Sequence, residues 1–207
     1  MGTPEKKKRF PIGKLLMGIG MLLILGAAGL LGYNQWLDYN AGQKSEAAVI
    51  ELVEEIEANE VEIVEVPAES NEPSAEMIKV AELDGAYYMG VVTIPSLEKI
   101  LPVQSDWSME KLERSPCRYS GSLAEDNLVI AGHNYKKHFT GLARLVPGDS
   151  VVFTDLDGRQ TFYEVKEVYT ASATDIEGMI NSKYDLTLFT CNYTGKARVT
   201  VRCSEVE

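Results

Sequence analysis

An uninterrupted apolar run, from Leu15 to Leu31, lies near the amino terminus of the chain. No charged side chain interrupts it. Tyr33 and Trp36 extend it to about 20 residues, the length that crosses a hydrocarbon core of roughly 30 Å as a helix. A single segment in a bilayer satisfies its backbone hydrogen bonds only as a helix. The run therefore predicts one transmembrane helix over residues 15–36.

The flanks of this run predict its orientation. Residues 1–14 are basic, with Lys6, Lys7, Lys8, Arg9 and Lys14. Because positive charge is retained on the cytoplasmic side, we expect this amino-terminal segment in the cytoplasm and everything after about residue 37 outside the cell. A cleaved signal peptide is the alternative, but the run is long for one. The sequence therefore favours an uncleaved, single-pass anchor in the cell membrane.

Composition narrows the function classes. The net charge is −11 and the pI is about 4.8, which argue against a nucleic-acid partner because such a protein needs a basic surface. The chain has three cysteines, Cys117, Cys191 and Cys203, too few for a disulfide scaffold. Cys117 and Cys203 either form one bridge or are buried as small apolar side chains, and we favour burial.

An acidic segment over residues 37–76 follows the predicted anchor. Residues 47–56 have apolar positions at helical spacing, so they form either a helix packed on the following domain or a marginal helix. Residues 67–74 have the composition of a linker. The segment is interpreted as an extracellular tether, with the folded catalytic domain over residues 77–207.

The domain is predicted to be mainly β. Strands are expected at 89–94, 100–103, 128–131, 150–154, 160–171, 185–190 and 198–203, and the fourth and fifth form a hairpin. Short helices are expected at 108–113 with Ser108 as the cap, at 138–145, and at 174–180 with Thr174 as the cap. About eight strands with minor helices indicate a closed or nearly closed β-barrel.

A candidate nucleophile ends the next-to-last strand. The sequence Thr187-Leu188-Phe189-Thr190-Cys191 is strand-like, and a short connection containing Gly195 leads to the last strand. In an antiparallel hairpin, Arg198 returns beside Cys191, whereas Arg202 lies further along the same face. The spacing therefore favours Arg198 as a site residue. Arg202 is interpreted as a member of a surface ion pair.

Cysteine chemistry requires a thiolate and a proton carrier. Of the two histidines, His133 follows an apolar strand and Gly132, a position from which a side chain faces a cleft. His138 is interpreted as a solvated residue at a helix start. Because arginine keeps its proton, Arg198 is expected to donate hydrogen bonds to a substrate carbonyl or oxyanion. Thr190 either contributes a further substrate hydrogen bond or only favours the strand.

These residues resemble the sortase family of Gram-positive bacteria over about residues 87–207. The resemblance depends on TLFTC at 187–191, which fits a TLxTC signature, on Arg198 at the head of the next strand, and on Gly132-His133. The region after the histidine, with Phe139, Leu142 and Pro147-Gly148-Asp149, is also similar to the family.

The resemblance implies an eight-stranded sortase-type β-barrel and a cysteine transpeptidase. Cys191 would form a thioester with a surface protein at its C-terminal LPxTG-like sorting signal. His133 would protonate the leaving amine, and Arg198 would stabilise the oxyanion. A peptidoglycan precursor or a pilin lysine would supply the accepting amine.

The resemblance leaves the subclass open. No aromatic lid motif and no C-terminal membrane helix are evident, which counts against a pilin-polymerising class. Neither a cofactor nor a metal site is predicted. Glu125, Asp126, Asp155 and Asp157 are calcium candidates by charge alone, and a role in turns is favoured.

Two other functions remain as alternatives. A secreted cysteine peptidase acting on cell-wall peptides would use the same nucleophile, but papain-like and related hydrolases usually have the cysteine before the histidine and at a helix start. Here the order is His133, Cys191, Arg198, and the cysteine ends a strand. A non-catalytic anchored binding module would give Cys191 no special role.

Overall fold

The computed structural model describes residues 12–58, 60–67, 77–192 and 195–206. The chain divides into two compact units, one up to Leu37 and one from Asp38 onward. The basic residues 6–9 and the linker residues 68–76, both used in the sequence interpretation, lie outside the described residues.

The described residues form three α-helices and ten β-strands. The helices are α1 Ile12–Ala58, α2 Met109–Arg114 and α3 Ile176–Ile180. The strands are β1 Ile63–Pro67, β2 Met77–Leu83, β3 Ala86–Ile94, β4 Lys99–Gln104, β5 Cys117–Ser120, β6 Leu128–Gly132, β7 Ser150–Asp155, β8 Gln160–Ser172, β9 Leu186–Cys191 and β10 Ala197–Glu205.

Eight of these strands close into a barrel. Their order is β3-β4-β5-β6-β9-β10-β8-β7, and β3 also pairs with β7, which completes the circle. The pairs β4–β5 and β6–β9 are parallel, and the other neighbours in the barrel are antiparallel. The predicted eight-stranded β-barrel is therefore confirmed, and β1 and β2 extend the sheet beside β3 as two further antiparallel strands.

Strand alternation fills the barrel interior. On β9, Leu186 and Leu188 belong to the main interior cluster, together with residues such as Val92, Phe153 and Val201. Gly90 lies where β3 contacts β7, with φ of 151°. A Cβ atom there would lie 2.4 Å from the Thr154 carbonyl oxygen, so this position requires glycine.

The first unit consists of the apolar part of α1. The most apolar 18 residues of this helix have a mean hydropathy of 2.3, and none of their side chains is buried. Leu22, Leu23 and Ile24 are each 70% exposed. By length and composition, the helix is capable of crossing a membrane.

In the second unit, α1 continues beyond the apolar run and packs on the sheet. Leu52 is fully buried against Ala81, Tyr88, Val91 and Leu156, among others. Val49, Val53 and Ile56 pack around it. Of the two alternatives for residues 47–56, the structure contains the packed helix. Both this helix and β1 precede residue 77, so the structured part extends to the amino-terminal side of the predicted catalytic domain.

The packing of α1 can be tested with Leu52→Ala. The substitution should lower the free energy of unfolding by about 3 kcal/mol, because it leaves a cavity between the helix and the sheet. The matched control is Ile50→Ala on the same helix, where the side chain is 54% exposed. We expect a change within about 0.5 kcal/mol for the control in chemical denaturation of the full chain. Equal effects of the two variants would contradict the docked helix.

The short helices agree with the sequence in part. α2 begins as predicted, with the Ser108 side chain accepting a hydrogen bond from the Lys111 amide at 3.1 Å. The predicted cap of α3 was wrong, because Asp175 and not Thr174 accepts from the Gly178 amide. The helix predicted over residues 138–145 was also wrong. Only the 3-10 turn Leu142–Arg144 forms, because Gly141 has φ of 101° and interrupts helical geometry.

Candidate active site

The carboxyl end of β9 carries an exposed, free thiol. Along this strand, Leu186 and Leu188 face the barrel interior, whereas Phe189 belongs to a cluster on the outer face. Alternation puts Cys191 on the outer face with Phe189, where it is exposed. A thiol in this position is accessible to a peptide.

The hairpin from β9 to β10 brings a guanidinium next to this thiol. Cys191 pairs directly with Arg198 across the two strands. Facing residues in such a pair have Cβ atoms about 4.5–5.5 Å apart. At the described ends of the connection, the Asn192 side chain accepts hydrogen bonds from the Lys196 and Ala197 amides, and Gly195 has φ of 68°. The predicted proximity of Arg198 and Cys191 is confirmed.

One guanidinium nitrogen of Arg198 makes no hydrogen bond to the described residues. The atom Nη1 is buried and makes no hydrogen bond within the described part of the chain. The guanidinium carbon lies 5.1 Å from the centre of the Phe189 ring, a cation–π contact that holds the side chain over the outer face. A buried donor without a partner is costly unless a substrate oxygen supplies the acceptor.

His133 leaves the sheet beside the same thiol. Strand β6 runs parallel to β9, and Gly132 pairs with Thr190. His133 and Cys191 each follow this pair by one residue, so both emerge at the same end of two adjacent strands. Gly132 is required here, since a Cβ atom would lie 2.6 Å from the Phe139 ring. The register thus brings the three predicted residues to one edge of the barrel.

The environment of His133 favours neutral imidazole. Partial burial removes water from the ring and lowers the pKa of His133, and the carboxylate of Glu113 opposes this shift in part. The protonated form is therefore the less populated one at neutral pH.

The His133 titration provides a test. We expect its imidazole to titrate below the ordinary histidine value of about 6.5 in NMR spectra of the folded protein, with His133→Gln assigning the signal. Since the unfolded chain binds this proton more tightly, the contribution of His133 favours folding at neutral pH. This contribution is lost as the pH falls from the ordinary pKa through the lower folded one. A titration above the ordinary value would contradict the desolvated site.

Thr190 lies on the other side of the strand. Its side chain alternates with Cys191 and Phe189, and it is buried. The hydroxyl Oγ1 has no hydrogen-bond partner among the described residues. A direct role of Thr190 in binding a substrate on the outer face remains a prediction, and the alternation of the strand speaks against it.

The surface ion pair assigned to Arg202 was wrong. Arg202 is buried, and its guanidinium donates to Thr187 Oγ1 at 2.5 Å, to the Met179 carbonyl at 3.2 Å and to the Tyr169 hydroxyl at 2.9 Å. It also donates to the Gly178 carbonyl. These contacts tie α3 to β8 and β9. The sequence did not indicate this network, because the acceptors on α3 are backbone carbonyls and do not depend on residue type.

Removing this network should destabilise the fold. We expect Arg202→Ala to lower the free energy of unfolding by about 2 to 3 kcal/mol, because it leaves buried carbonyl and hydroxyl groups without donors. The matched control is Arg159→Ala, whose side chain is 79% exposed. The control should change stability by less than about 0.5 kcal/mol in the same denaturation experiment. If Arg202→Ala is as stable as the control, the buried network is incorrect.

His138 was also misinterpreted. The sequence indicated a solvated position, yet the side chain is fully buried. Its ring centre lies 5.4 Å from that of Tyr135. The residues between His133 and Thr140 form turns and not a helix, and the backbone bond from the His138 amide to the Tyr135 carbonyl turns the side chain inward.

The other two thiols are unsuited to nucleophilic attack. Cys117 and Cys203 are buried and form no disulfide bridge, which confirms the favoured prediction that both are buried side chains. Burial raises the pKa of each to about 12, so both remain protonated thiols at neutral pH. Among the three cysteines, only Cys191 is exposed.

Acidic side chains form turns in this structure. The Asp155 carboxylate accepts hydrogen bonds from the Asp157 and Arg159 amides, at 3.0 and 2.9 Å, and Asp157 pairs with Lys79. Within the described residues, no group of three or more histidine, cysteine or acidic side chains is arranged to hold a metal ion. The favoured turn role of Asp155 is confirmed.

The family follows from the comparison with known proteins. Residues 92–206, more than half of the chain, match a family model described as a sortase domain. The chain belongs to the sortase family. A search of curated proteins returned no match.

Solved sortase structures share the fold. Sortase A from Listeria monocytogenes is 22% identical, with a TM-score of 0.54 over 58% of this sortase and 88% of that chain. Sortase C1 from Streptococcus agalactiae is 26% identical, with a TM-score of 0.52 over 61% and 71%. Sortase E1 from Streptomyces coelicolor, solved with a tripeptide in the active site, is 22% identical, with a TM-score of 0.53 over 58% and 88%.

Coverage is lower for another similar structure. This sortase spans 64% of the chain of sortase C1 of GBS Pilus Island 1, at 22% identity and a TM-score of 0.52. The similar structures include sortases C1, A and E1, so the likeness identifies the fold without choosing a class.

A row of aromatic side chains, which the sequence did not indicate, lies beside the site. Trp107, Tyr119 and Phe189 form this aromatic row, with successive ring centres 5.2 Å apart. Trp107 is 44% exposed, whereas Phe189 is 5% exposed and adjoins Arg198. The row joins three separate parts of the chain. The pairing of β5 with β6 that brings them together was not predicted, because β5 has only four residues and includes a buried arginine.

Proposed function

We propose that this sortase is a membrane-anchored cysteine transpeptidase. It cleaves the C-terminal LPxTG-like sorting signal of a surface protein and transfers that surface protein to an amine. The observation that carries the proposal is the strand register that pairs the exposed Cys191 with Arg198 and brings His133 out beside them. Nucleophile, cation and proton carrier are the groups that acyl transfer through a thioester requires.

In the first step, the Cys191 thiolate attacks the peptide carbonyl carbon, and a C–S bond forms. The oxygen that becomes negative accepts a hydrogen bond from Arg198, whose buried Nη1 lacks a partner among the described groups. Protonated His133 donates its proton to the departing nitrogen as the C–N bond breaks. The products are a thioester on Cys191, a free amine and neutral His133.

In the second step, an incoming amine attacks the thioester carbonyl. Neutral His133 accepts the amine proton, a new C–N bond forms, and the C–S bond breaks to return the Cys191 thiolate. The lowered pKa of His133 suits this step, because the neutral base is the abundant form. Peptidoglycan precursors and pilin lysines are amines of the required kind.

The aromatic row offers a surface for the apolar part of the sorting signal. Its rings lie on the outer face that carries Cys191, and aromatic faces pack well against proline and aliphatic side chains. A peptide lying along this row would bring its scissile carbonyl toward Cys191 and Arg198.

The proposed setting is the outer face of the cell membrane. The apolar segment of α1 is long enough to serve as the anchor, and the basic residues that precede it in sequence favour a cytoplasmic amino terminus. An extracellular catalytic domain would then meet surface proteins and wall amines on the same side of the membrane.

A peptide ligation assay tests this function. The detergent-solubilised full chain is incubated with LPxTG-type peptides, with and without an amine nucleophile. We expect an amine-dependent ligation product that is absent with Cys191→Ala. Cleavage that amines leave unchanged would indicate a hydrolase. A complete lack of turnover and of any thioester over a library of sorting peptides would favour the anchored binding module.

A further inference from the structure

The proposed proton carrier, His133, is stacked on a neighbouring tyrosine. The ring centres of His133 and Tyr135 lie 4.7 Å apart, with an angle of 29° between the ring planes. Tyr135 in turn lies against the fully buried His138, with ring centres 5.4 Å apart. Three rings thus run in series from the candidate site to the protein interior.

The backbone that carries these rings is fixed by local hydrogen bonds. The Phe139 amide donates to the His133 carbonyl at 3.1 Å, and the Thr140 amide donates to the Tyr135 carbonyl at 3.2 Å. The Thr140 hydroxyl also bonds to the Asn134 carbonyl at 2.8 Å. These bonds close a loop over residues 133–140, and the buried Phe139 lies near its carboxyl end. The loop therefore holds Tyr135 in a defined position relative to His133.

Two other elements brace the loop from outside. The Lys99 ammonium on β4 donates to the Lys136 carbonyl at 2.7 Å. Helix α1 contacts the next residue, since Glu46 pairs with Lys137 at 3.0 Å, and a Cβ atom on Gly42 would lie 2.5 Å from Lys137 Cγ. The exposed ion pair alone contributes little. Together with the close approach at Gly42, it keeps this segment against helix α1.

We propose that Tyr135 is a positioning residue for His133, holding the imidazole in the orientation that transfers a proton to and from the peptide nitrogen. The inference rests on the proposed function. An aromatic stack contributes about 0.5–1.5 kcal/mol, which favours one ring orientation over another by up to roughly tenfold. Proton transfer requires this orientation, because the ring nitrogen must lie within hydrogen-bond reach of the reacting nitrogen.

Kinetics of two Tyr135 variants in the full chain test the role. Tyr135→Leu removes the aromatic face and keeps an apolar side chain, so kcat should fall by about tenfold with KM within about twofold. Tyr135→Phe keeps the face and should retain kcat within about twofold. The matched control is Tyr87→Leu, at a tyrosine 40% exposed on β3, which should leave both parameters unchanged.

An NMR experiment reads the same stack without any substrate. In the wild type and Tyr135→Phe, the His133 ring protons should show the ring-current shift of a stacked neighbour and contacts to residue 135. Tyr135→Leu should lose both. Unchanged kcat in Tyr135→Leu, or a wild-type His133 ring with no contact to Tyr135, would overturn the proposal.

The two proposals fail in different ways. If the full chain has no transpeptidase activity, the proposed function fails, and the NMR contacts alone decide whether Tyr135 fixes the His133 ring. If activity is present and depends on Cys191, but Tyr135→Leu is as active as Tyr87→Leu, only the positioning role is wrong.

Discussion

Cys191→Ala should abolish peptide ligation, with a loss of at least roughly 10⁴-fold in kcat/KM. The physical reason is that no other exposed thiol is present to form the thioester, since Cys117 and Cys203 are buried. Stability should change by less than about 0.5 kcal/mol, because the side chain is exposed at the end of β9 and fills no core space. Ligation kinetics and chemical denaturation of the full chain measure the two effects.

The same substitution at a buried cysteine is the matched control. Cys203→Ala should retain ligation activity and lower the free energy of unfolding by about 1 kcal/mol, because Cys203 lies in the barrel interior. The Cys191 variant should therefore lose activity and keep its stability, whereas the Cys203 variant should lose stability and keep its activity. Residual ligation by Cys191→Ala above the uncatalysed rate would show that another group is the nucleophile.

Arg198→Ala should reduce kcat/KM by roughly 10²–10³-fold, the usual effect of removing one donor to an oxyanion. The effect follows from the direct pairing with Cys191 and from the buried Nη1 without a partner among the described residues. Arg198→Lys should recover only part of the activity, because an ammonium lacks the planar fork of donors. Steady-state kinetics at saturating amine measure the loss.

Stability separates this effect from that of the neighbouring arginine. Arg198→Ala should cost about 1 kcal/mol, the scale of its contact with Phe189. Arg202→Ala should lose more stability, since its guanidinium holds α3 against β8 and β9. Activities must therefore be compared at temperatures where both variants are folded. An Arg198→Ala variant that loses only stability and keeps full activity would remove Arg198 from the mechanism.

Much of the site was predictable because it depends on short-range sequence. The TLFTC strand, the short connection and Arg198 lie within twelve residues, and hairpin geometry alone puts Arg198 opposite Cys191. His133 was harder, since it meets Cys191 only through the parallel pairing of β6 with β9. The residue types and the preceding glycine indicated His133 as a site residue. The sequence did not predict which residues of β6 and β9 pair, because the two strands are far apart along the chain.

The features that were missed depend on contacts between distant segments. Arg202 is buried because α3, which is a short helix without a strong pattern, supplies carbonyl acceptors. His138 is buried because turns replace the predicted helix. The ring contacts of Tyr135 and of the aromatic row could not be predicted, because they depend on how the folded chain brings the rings together. Local patterns predicted the strands, whereas the environment of each polar side chain depended on tertiary packing.

The helix before the barrel shows the same limit. Spacing of Val49, Val53 and Ile56 indicated one apolar face, but a marginal helix and a docked helix have the same pattern. Apolar residues on β2 and β3, such as Ala81 and Val91, cover Leu52 and stabilise the docked helix.

Intact-mass spectrometry of the full chain shows whether Cys191 becomes acylated by the peptide. The protein is mixed with an LPxTG-type peptide without amine, quenched in acid and weighed, and the modified residue is located by digestion. We expect an adduct of the amino-terminal peptide fragment on Cys191, which an added amine removes to give the ligated peptide. Turnover of the peptide with no adduct at Cys191, or with an adduct at another residue, would contradict Cys191 as the nucleophile.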